Sequence, residues 1–430
     1  MVAGENLAWG TEDFRTMPED NSTAVVVSPP LGAHPDAREV EMVERKGRGH
    51  PDSICDALAE AFGISLTRFY YERCGRVLHH NVDKVLLAAG SSAPRFGGGE
   101  VIAPFEIYLA GRATQDIDGT PVPVADIAEQ TTRAWLRANL HALDTERHVR
   151  IHTVVRAGSP VLSALVGGER AQRVRANDTS FAVGYAPPSR LEQIVLAVEQ
   201  ALTAPSTVAT HPMLGEDVKV MGVRRGQQID LTIACAIVDR HVRTLVDYVE
   251  AKTTIAGLAE RAARAQASHV AVAVNTADDV DAGRVYLTVT GTSAEAGDDG
   301  QTGRGNRVGG LITPCRPMTL EAAAGKNVVS HVGKSYSIVA HRIANELVAS
   351  LPDVAEATCV LVSRIGQPVD TPQVVELQIQ TRNGVALDVV RAPATAVART
   401  CLRDISELSA LLIQHASIES PAMWPGVRLF

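Results

Sequence analysis

Four stretches of the 430-residue chain concentrate ionisable side chains and glycine where the apolar periodicity breaks. The first, residues 44–52, places cations just before a predicted helix start. Free N–H groups, the positive end of the helix dipole and nearby lysine or arginine make such a start a phosphate site. His50 is then placed to donate to a phosphate oxygen, and Asp52 to hold Mg²⁺. An ordinary solvated N-cap is the alternative, and His-Pro-Asp also occurs at residues 34–36.

The second stretch, residues 91–100, contains three successive glycines and ends on a glutamate. Glycine allows the backbone to approach a ligand closely, so Gly98 and Gly99 are predicted to lie against a substrate. Glu100 then offers a carboxylate to an amine. A flexible hairpin loop is the alternative interpretation.

The third stretch combines Asp178, in residues 178–186, with Asp217 and Lys219 downstream. A single aspartate or lysine at a strand end is usually a surface residue, so this stretch indicates little by itself.

The fourth stretch, residues 298–334, is the richest in charged groups. It holds Asp298, Asp299, Arg304, Arg307, Lys326, His331 and Lys334 among glycines. This composition suits a polyphosphate with its Mg²⁺ ions, whereas a solvated loop of mixed charge is the alternative. Val328 replaces the first glycine of a Walker A loop, and Val308 the third glycine of a dinucleotide-binding fingerprint.

The elements that position these stretches mix helices and strands. Helices are predicted over 51–73, 123–140, 190–202, 254–267, 330–350 and 396–414. Strands are predicted over 25–27, 83–90, 150–157, 218–223, 229–238, 284–290, 357–363 and 374–380. Because helices and strands do not alternate one for one, we expect an α+β fold rather than a single doubly wound sheet.

The length of the chain and the changes in composition along it indicate several domains. We predict an N-terminal arm over 1–38 and three domains over 39–165, 166–283 and 284–430.

Composition excludes several classes of function. The formal net charge is −8, and aromatic residues make up 4% of the chain, which argues against a nucleic-acid-binding protein. Six scattered cysteines contain no Cys-x-x-Cys pair, so a zinc or redox site has no support. Neither a secretory signal nor an apolar run of about 20 residues is present, which predicts a cytoplasmic protein without a membrane span.

The four stretches together resemble the archaeal-type S-adenosylmethionine synthetases (methionine adenosyltransferases) from about Val40 to the C-terminus. The matching segments are VERKGRGHPDSICD (43–56), HHNVDKVLLAAGSSAPRFGGGEVI (79–102), DTSFAVGYAP (178–187), EDVKVMGVR (216–224) and the blocks between 297 and 334. The resemblance implies three similar α+β domains around a pseudo-threefold axis. It also implies a homodimer, or a dimer of dimers, with active sites at the subunit interface.

The activity implied by the resemblance joins ATP to L-methionine and cleaves the released triphosphate to phosphate and diphosphate. The implied ions are Mg²⁺, two per site, and K⁺. On this resemblance, we predict catalytic roles for His50, Lys219, Arg304, Lys326, His331 and Lys334. Substrate contacts are predicted for Gly98, Gly99, Glu100, Asp178, Asp298 and Asp299. Asp52 is predicted to bind Mg²⁺, and Asp83 is the expected counterpart of a potassium-site carboxylate.

Charge neutralisation is the main requirement of this reaction, because methionine sulfur needs no general base. We expect lysine, arginine, a protonated histidine and Mg²⁺ to stabilise the leaving triphosphate. The chain departs from the family pattern at Val82, Ala89, Ser91, Cys315 and Val328. Two alternatives therefore stay open: a specialised relative acting on a methionine analogue, and a non-catalytic nucleotide-binding relative.

Overall fold

The computed structural model describes residues 23–159, 174–382, 384–421, 423–424 and 427–430. Most of the predicted arm (1–22) and the predicted domain boundary at 165/166 lie outside these residues. The three-domain division therefore stays a prediction.

The described residues form eight α-helices, three larger sheets and three two-stranded ribbons. The helices are α1 (Pro51–Cys74), α2 (Val124–Asn139), α3 (Arg190–Thr203), α4 (Pro205–Thr210), α5 (Leu245–Arg264), α6 (Val332–Ser350), α7 (Leu387–Arg403) and α8 (Ile405–His415). The first strands are β1 (Val25–Ser28), β2 (Val40–Lys46), β3 (His80–Ala88), β4 (Ser91–Ala93), β5 (Glu100–Ala103), β6 (Phe105–Ala113), β7 (Asp116–Ile117), β8 (Thr120–Pro121), β9 (Val149–Arg156) and β10 (Phe181–Ala186). The remaining strands are β11 (Leu214–Arg225), β12 (Gln228–Val238), β13 (Val270–Val274), β14 (Leu287–Thr288), β15 (Gly300–Gln301), β16 (Val354–Val362), β17 (Val374–Thr381), β18 (Met423–Trp424) and β19 (Val427–Arg428).

The three larger sheets share one pattern of strand pairing. The first sheet has the order β15-β3-β6-β9, the second β13-β12-β11-β2 and the third β1-β17-β16-β10, with β14 added to the second beside β12. In each, two central strands pair antiparallel. One central strand also pairs with a parallel edge strand (β9, β13 or β1). The other pairs with an antiparallel edge strand (β15, β2 or β10).

The antiparallel edge strands connect the sheets to one another. Strand β2 precedes α1 and β3 of the first sheet, yet it pairs with β11 of the second. Strand β10 precedes β11 but joins the third sheet, and β15 precedes β16 but joins the first. The first, third and fourth polar stretches are therefore held by β2, β10 and β15 against strands that are distant in sequence.

Helices cover one face of each sheet. Helices α1 and α2 pack on the first sheet, α3 and α5 on the second, and α6 and α7 on the third. The first and third sheets share one hydrophobic core, and the second sheet has its own. Helix α1 is buried along most of its 24 residues, as expected of a helix with neighbours on several sides. None of the helices in the described ranges is long and apolar enough to cross a membrane.

Several predicted elements are confirmed. Pro51 begins α1, and Gly75 ends it in the left-handed conformation (φ 68°). Ser189 and Glu192 form the expected capping box of α3. The valines of the predicted arm form β1, which pairs with β17 and belongs to the third sheet.

Three predicted elements are wrong in extent. Only Leu287–Thr288 of the strand expected over 284–290 is β-structure. Helix α5 begins at Leu245 rather than at 254, because Thr244 and Asp247 form a capping box that the sequence analysis missed. The helix expected over 396–414 is two helices that meet at Asp404.

Candidate functional site

His50 is the N-cap of α1, and its environment keeps the imidazole neutral. Its Nδ1 accepts a hydrogen bond from the N–H of Asp52 at 3.2 Å. Burial, together with Lys46, lowers the pKa of His50 to about 4. In the free protein the ring is therefore neutral, with its proton on Nε2, and a protonated histidine beside bound triphosphate stays a prediction. That Nε2 lies 3.6 Å from Oδ2 of Asp298.

Three acidic side chains stand at i, i+4 and i+8 on α1 and therefore share one stripe of the helix. Asp52 accepts the N–H of Gln301 at 3.0 Å, and Asp56 accepts the N–H of Gly303 at 2.8 Å. Glu60 accepts the N–H of Gly325 at 2.9 Å. This acidic stripe, defined as Asp52, Asp56 and Glu60, fixes both ends of the fourth polar stretch to α1.

Asp56 is buried, and within the described part of the chain one of its carboxylate oxygens is unsatisfied. Its Oδ2 has no hydrogen-bond partner among the described residues. Burial raises the pKa of Asp56 to about 7, against the N–H of Gly303 and the charge of Arg307, which lower it. The carboxyl group is therefore partly protonated at neutral pH.

Further carboxylates converge on the start of α1, Asp217 from β11 and Asp298 from the loop after β14. Oδ2 of Asp217 accepts the N–H and the hydroxyl of Ser293, at 2.8 and 2.6 Å. Burial raises the pKa of Asp217 to about 6. Burial, and then the charge of Asp52, also raises the pKa of Asp298. Asp299 instead accepts the N–H of Ala89 at 2.7 Å, so it anchors the loop to the end of β3.

Two lysines lie side by side beneath these acids, because Lys46 of β2 and Lys219 of β11 are cross-strand partners. Lys46 forms an ion pair with Asp52 at 2.8 Å and donates to the carbonyl of Arg304 at 3.0 Å. Lys219 lies 3.4 Å from Oε1 of Glu44. The Arg304 side chain is exposed beside this pair. We call His50, Asp52, Lys219, Asp298 and Arg304, with Lys46, the helix-start site.

The other predicted cations form a second group farther along α1, the Glu60 cluster, defined as Glu60, Lys326, His331 and Lys334. The ammonium of Lys334 donates to both carboxylate oxygens of Glu60. Lys326 forms an ion pair with Glu321. His331 is the N-cap of α6, where burial and the two lysines hold its pKa well below the usual range. Eight residues of helix, about 12 Å, separate Asp52 from Glu60.

Asp83 is a member of neither the helix-start site nor the Glu60 cluster. It is buried and forms an ion pair with Lys84 at 2.5 Å, and its charge also acts on Lys334. Its predicted potassium role stays a prediction.

The glycine-rich stretch forms a hairpin, β4–β5, and the predicted substrate contacts of Gly98, Gly99 and Glu100 stay predictions. A side chain at Gly99 would lie 2.1 Å from the carbonyl oxygen of Ala93, so glycine is required by the hairpin itself. The N–H of Gly99 donates to Oδ2 of Asp239 at 2.6 Å, which fixes the hairpin to the end of β12. Gly98 has φ 119°, and Glu100 is exposed at the start of β5.

Asp178 lies at the third sheet rather than at the helix-start site. Its side chain is exposed and accepts the N–H of Thr179 at 2.8 Å, while its carbonyl accepts the hydroxyl of Ser363 at 2.9 Å. Its predicted substrate contact stays a prediction.

The chemistry of Asp52 and Asp298 fits Mg²⁺. Both carboxylates approach the same imidazole, at 3.9 and 3.6 Å, and burial, with the charge of Asp52, raises the pKa of Asp298. A cation between them would relieve that repulsion. In the ranges that the structure describes, no group of three or more histidine, cysteine or acidic residues could hold a metal alone. Mg²⁺ commonly uses one or two carboxylates together with substrate phosphates.

Sequence reasoning missed the roles of Lys46, Asp56 and Glu60. The i, i+4, i+8 spacing of the acidic stripe was the available signal, because three acids on one face of an otherwise apolar helix need buried partners. In the sequence, Lys46 cannot be distinguished from the neighbouring cations Arg45 and Arg48. Only the pairing of β2 with β11 shows that Lys46 is the one that lies beside Lys219.

Comparison with known proteins identifies the relatives of this chain. A sequence model of the S-adenosylmethionine synthetase (AdoMet synthetase) family matches residues 23–416. The chain is 49% identical over 361 residues to a probable S-adenosylmethionine synthase of Aquifex aeolicus, covering 83% of this chain and 90% of the relative. It is 46% identical to the S-adenosylmethionine synthase of Pyrococcus furiosus, covering 88% and 94%.

A solved structure shares the fold. An unusual S-adenosylmethionine synthetase from Campylobacter jejuni superposes with a TM-score of 0.57 at 14% sequence identity, covering 88% of this chain and 91% of the other.

Proposed function

The chain belongs to the S-adenosylmethionine synthetase family, and we propose that it forms S-adenosylmethionine from ATP and L-methionine at the helix-start site. The observation that carries the assignment to this site is the convergence of His50, Lys219 and Asp298 on the first turn of α1. A helix start with two lysines, an arginine and a neutral N–H donor is suited to an anionic leaving group.

The reaction forms one bond and breaks one. Methionine sulfur attacks C5′ of the ATP ribose, and the C5′–O bond breaks with its electron pair leaving on triphosphate. Sulfur becomes a sulfonium, so the reaction needs no base. Water then cleaves the triphosphate to phosphate and diphosphate. The site must align the sulfur, C5′ and the leaving oxygen, and stabilise charge that grows on triphosphate.

The residues of the site divide this work. Lys219 and Arg304 supply cations, and the exposed Arg304 side chain is free to move onto a phosphate. His50 donates its Nε2–H without an initial positive charge, because Nδ1 is occupied by the N–H of Asp52. Lys46 holds Asp52 and the Arg304 carbonyl in place. Asp52 and Asp298 would hold Mg²⁺, which neutralises phosphate charge when it is bound.

We further propose a homodimer in which each active site combines residues of two chains. Lys326 and His331, also predicted to be catalytic, lie in the Glu60 cluster, about 12 Å along α1 from Asp52. The uncovered face of the first sheet carries exposed apolar side chains, Leu86 and Val154 at 46% and 45% exposure. Exposed apolar surface on a sheet face supports an interface with a second copy.

The shared pairing pattern of the three sheets supports a pseudo-threefold arrangement of three similar units. Each unit would contain one sheet and two helices. The antiparallel edge strands β2 and β10 come from earlier in the chain than the central strands they join, and β15 comes from later in the chain than those of the first sheet.

The function is tested by incubating the protein with ATP, Mg²⁺, K⁺ and methionine, and measuring S-adenosylmethionine by mass spectrometry. We expect equimolar S-adenosylmethionine, phosphate and diphosphate, without ADP. Formation of ADP would instead identify a phosphotransferase or ATP phosphohydrolase. A panel of methionine analogues identifies a specialised relative, and absence of product with all of them would overturn the proposal.

The dimer is tested by light scattering on wild type and Leu86→Glu. We expect the variant to be monomeric and inactive. Val389→Glu, at a 59% exposed position on α7, is the matched control and should remain dimeric. A monomeric wild type with full activity would exclude a shared active site.

A further inference from the structure

A cavity of about 200 Å³ lies beside β2. Its walls come from β2, α1, α2, α3 and the segment around β19, and Ser53 and Ala57 are the lining residues of α1. One water occupies about 30 Å³ of liquid volume, so the cavity has room for a small molecule or ion. Lys46 contributes to its wall, but the ammonium of Lys46 is engaged by Asp52 in the helix-start site.

Three guanidinium groups line this cavity, and they differ in how their charge is compensated. Arg45 is buried and forms an ion pair with Glu199 at 2.6 Å, and it also donates to the carbonyl of Gly310 at 2.5 Å. Arg48 donates to the neutral oxygens of Asn139 and Thr203, at 3.4 and 2.9 Å. No carboxylate among the described residues pairs with Arg48.

Arg428 makes the fewest direct polar contacts of the three, although the charge of Glu199 acts on it. Its side chain forms neither a hydrogen bond nor an ion pair within the described ranges, although it is partly buried. A side chain built at Gly310 would lie 2.7 Å from Cδ of Arg428 and 3.2 Å from Nη1 of Arg45, so the two arginines are close neighbours. Burial and the charge of Arg45 lower the pKa of Arg428.

Trp135 also lines the cavity, but its indole Nε1 is fully buried and does not face the open space. The lining carboxylates are Glu199, which is engaged by Arg45, and Glu419. The cavity thus contains two guanidinium groups, those of Arg48 and Arg428, that form no ion pair among the described residues.

We infer that this cavity binds a phosphate-class oxyanion, held by Arg48 and Arg428. Two guanidinium groups without an ion pair in the residues that the structure describes match the charge of a dianion, and guanidinium forms paired hydrogen bonds with phosphate oxygens. The site shares Lys46 with the helix-start site, but Arg48 and Arg428 belong neither to that site nor to the Glu60 cluster. It does not depend on the proposed reaction, since it would remain if the chain made no S-adenosylmethionine.

Calorimetry with inorganic phosphate and with diphosphate tests the inference on the full chain. Because the helix-start site should also bind phosphate, wild type is compared with Arg428→Gln and with Arg304→Ala. We expect two classes of site in wild type. Arg428→Gln should weaken the cavity site by roughly 10- to 100-fold, the effect of one charged hydrogen bond, and leave the other class unchanged. Arg304→Ala should weaken phosphate binding at the helix-start site and leave the cavity site unchanged.

Arg399→Gln is the matched control, because it removes one exposed arginine on α7 far from the cavity wall in sequence. Arg428→Gln breaks no described ion pair, so it should fold, and unchanged unfolding in phosphate-free buffer verifies this. Phosphate should then raise the melting temperature of Arg304→Ala more than that of the Arg304→Ala, Arg428→Gln double variant. Equal phosphate binding by wild type and Arg428→Gln, or no binding by Arg304→Ala, would overturn the inference.

Discussion

Lys334 donates to both carboxylate oxygens of Glu60, at 2.8 and 2.7 Å, and the two side chains are only 3% and 0% exposed. This pair connects α6 to the middle of α1, and the carboxylate also accepts the N–H of Gly325. Burying either charge without the other is costly, so the pair couples the fourth polar stretch to the core of the protein.

Glu60→Gln should destabilise the protein by about 3–5 kcal/mol, because it removes the carboxylate charge that accepts both hydrogen bonds from the buried Lys334 ammonium. The free energy of unfolding is measured by urea denaturation. Asp388→Asn, which breaks the exposed ion pair with Arg391, is the control and should have little effect. Similar losses in both variants would show that burial does not determine the energy of the Glu60–Lys334 pair.

His50 should make the protein less stable in mild acid. Its pKa of about 4 in the folded protein lies below the unfolded value of about 6.5. Between these values the unfolded chain binds the extra proton, so stability falls as the pH drops through that window. From pH 7 to pH 5, wild type should lose about 2 kcal/mol more than His50→Asn, which retains an N-cap acceptor. Equal losses would contradict the assignment of a neutral imidazole.

Asp56 should make the protein less stable as the pH rises. Its pKa of about 7 in the folded protein lies above the unfolded value of about 3.9, so the folded state binds more protons and loses stability as the pH rises. Asp56→Asn keeps an acceptor for Gly303 without the ionisation. Its stability relative to wild type should increase by about 2–3 kcal/mol between pH 5 and pH 8. A pH-independent difference, measured against Asp388→Asn, would exclude titration of Asp56.

Arg304→Ala and Lys326→Ala should each lower kcat by a factor of roughly 10²–10³, because each removes a cation that stabilises the leaving triphosphate. Steady-state assay of S-adenosylmethionine formation measures this. Arg304 is exposed, so its variant should unfold like wild type, and Arg399→Ala is the control for loss of an exposed arginine. Near-normal turnover in both active-site variants would show that the phosphates bind elsewhere.

Asp52→Asn should raise the Mg²⁺ concentration required for half-maximal activity, because the amide is a weaker ligand for a hard cation. Activity is titrated with Mg²⁺ at saturating ATP, beside Asp388→Asn. The variant also frees Lys46 from its ion pair, so unfolding is measured in parallel. An unchanged Mg²⁺ titration would exclude Asp52 as a ligand.

The sequence by itself determined the local chemistry. Pro51 after His50 specifies a helix start, and the Ser189–Glu192 spacing specifies another, because capping depends on residues within one turn. The polar stretches and their order were sufficient to identify the family, which the comparisons confirm.

Only the tertiary structure decided which of these groups meet. Lys46 and Lys219 are adjacent because β2, which directly precedes α1 in the chain, pairs with β11. The two lysines are more than 170 residues apart in sequence, so no local pattern encodes their contact. The neutral state of His50 and the raised pKa of Asp56 likewise depend on burial by distant segments, since desolvation is a property of the packed protein rather than of neighbouring residues.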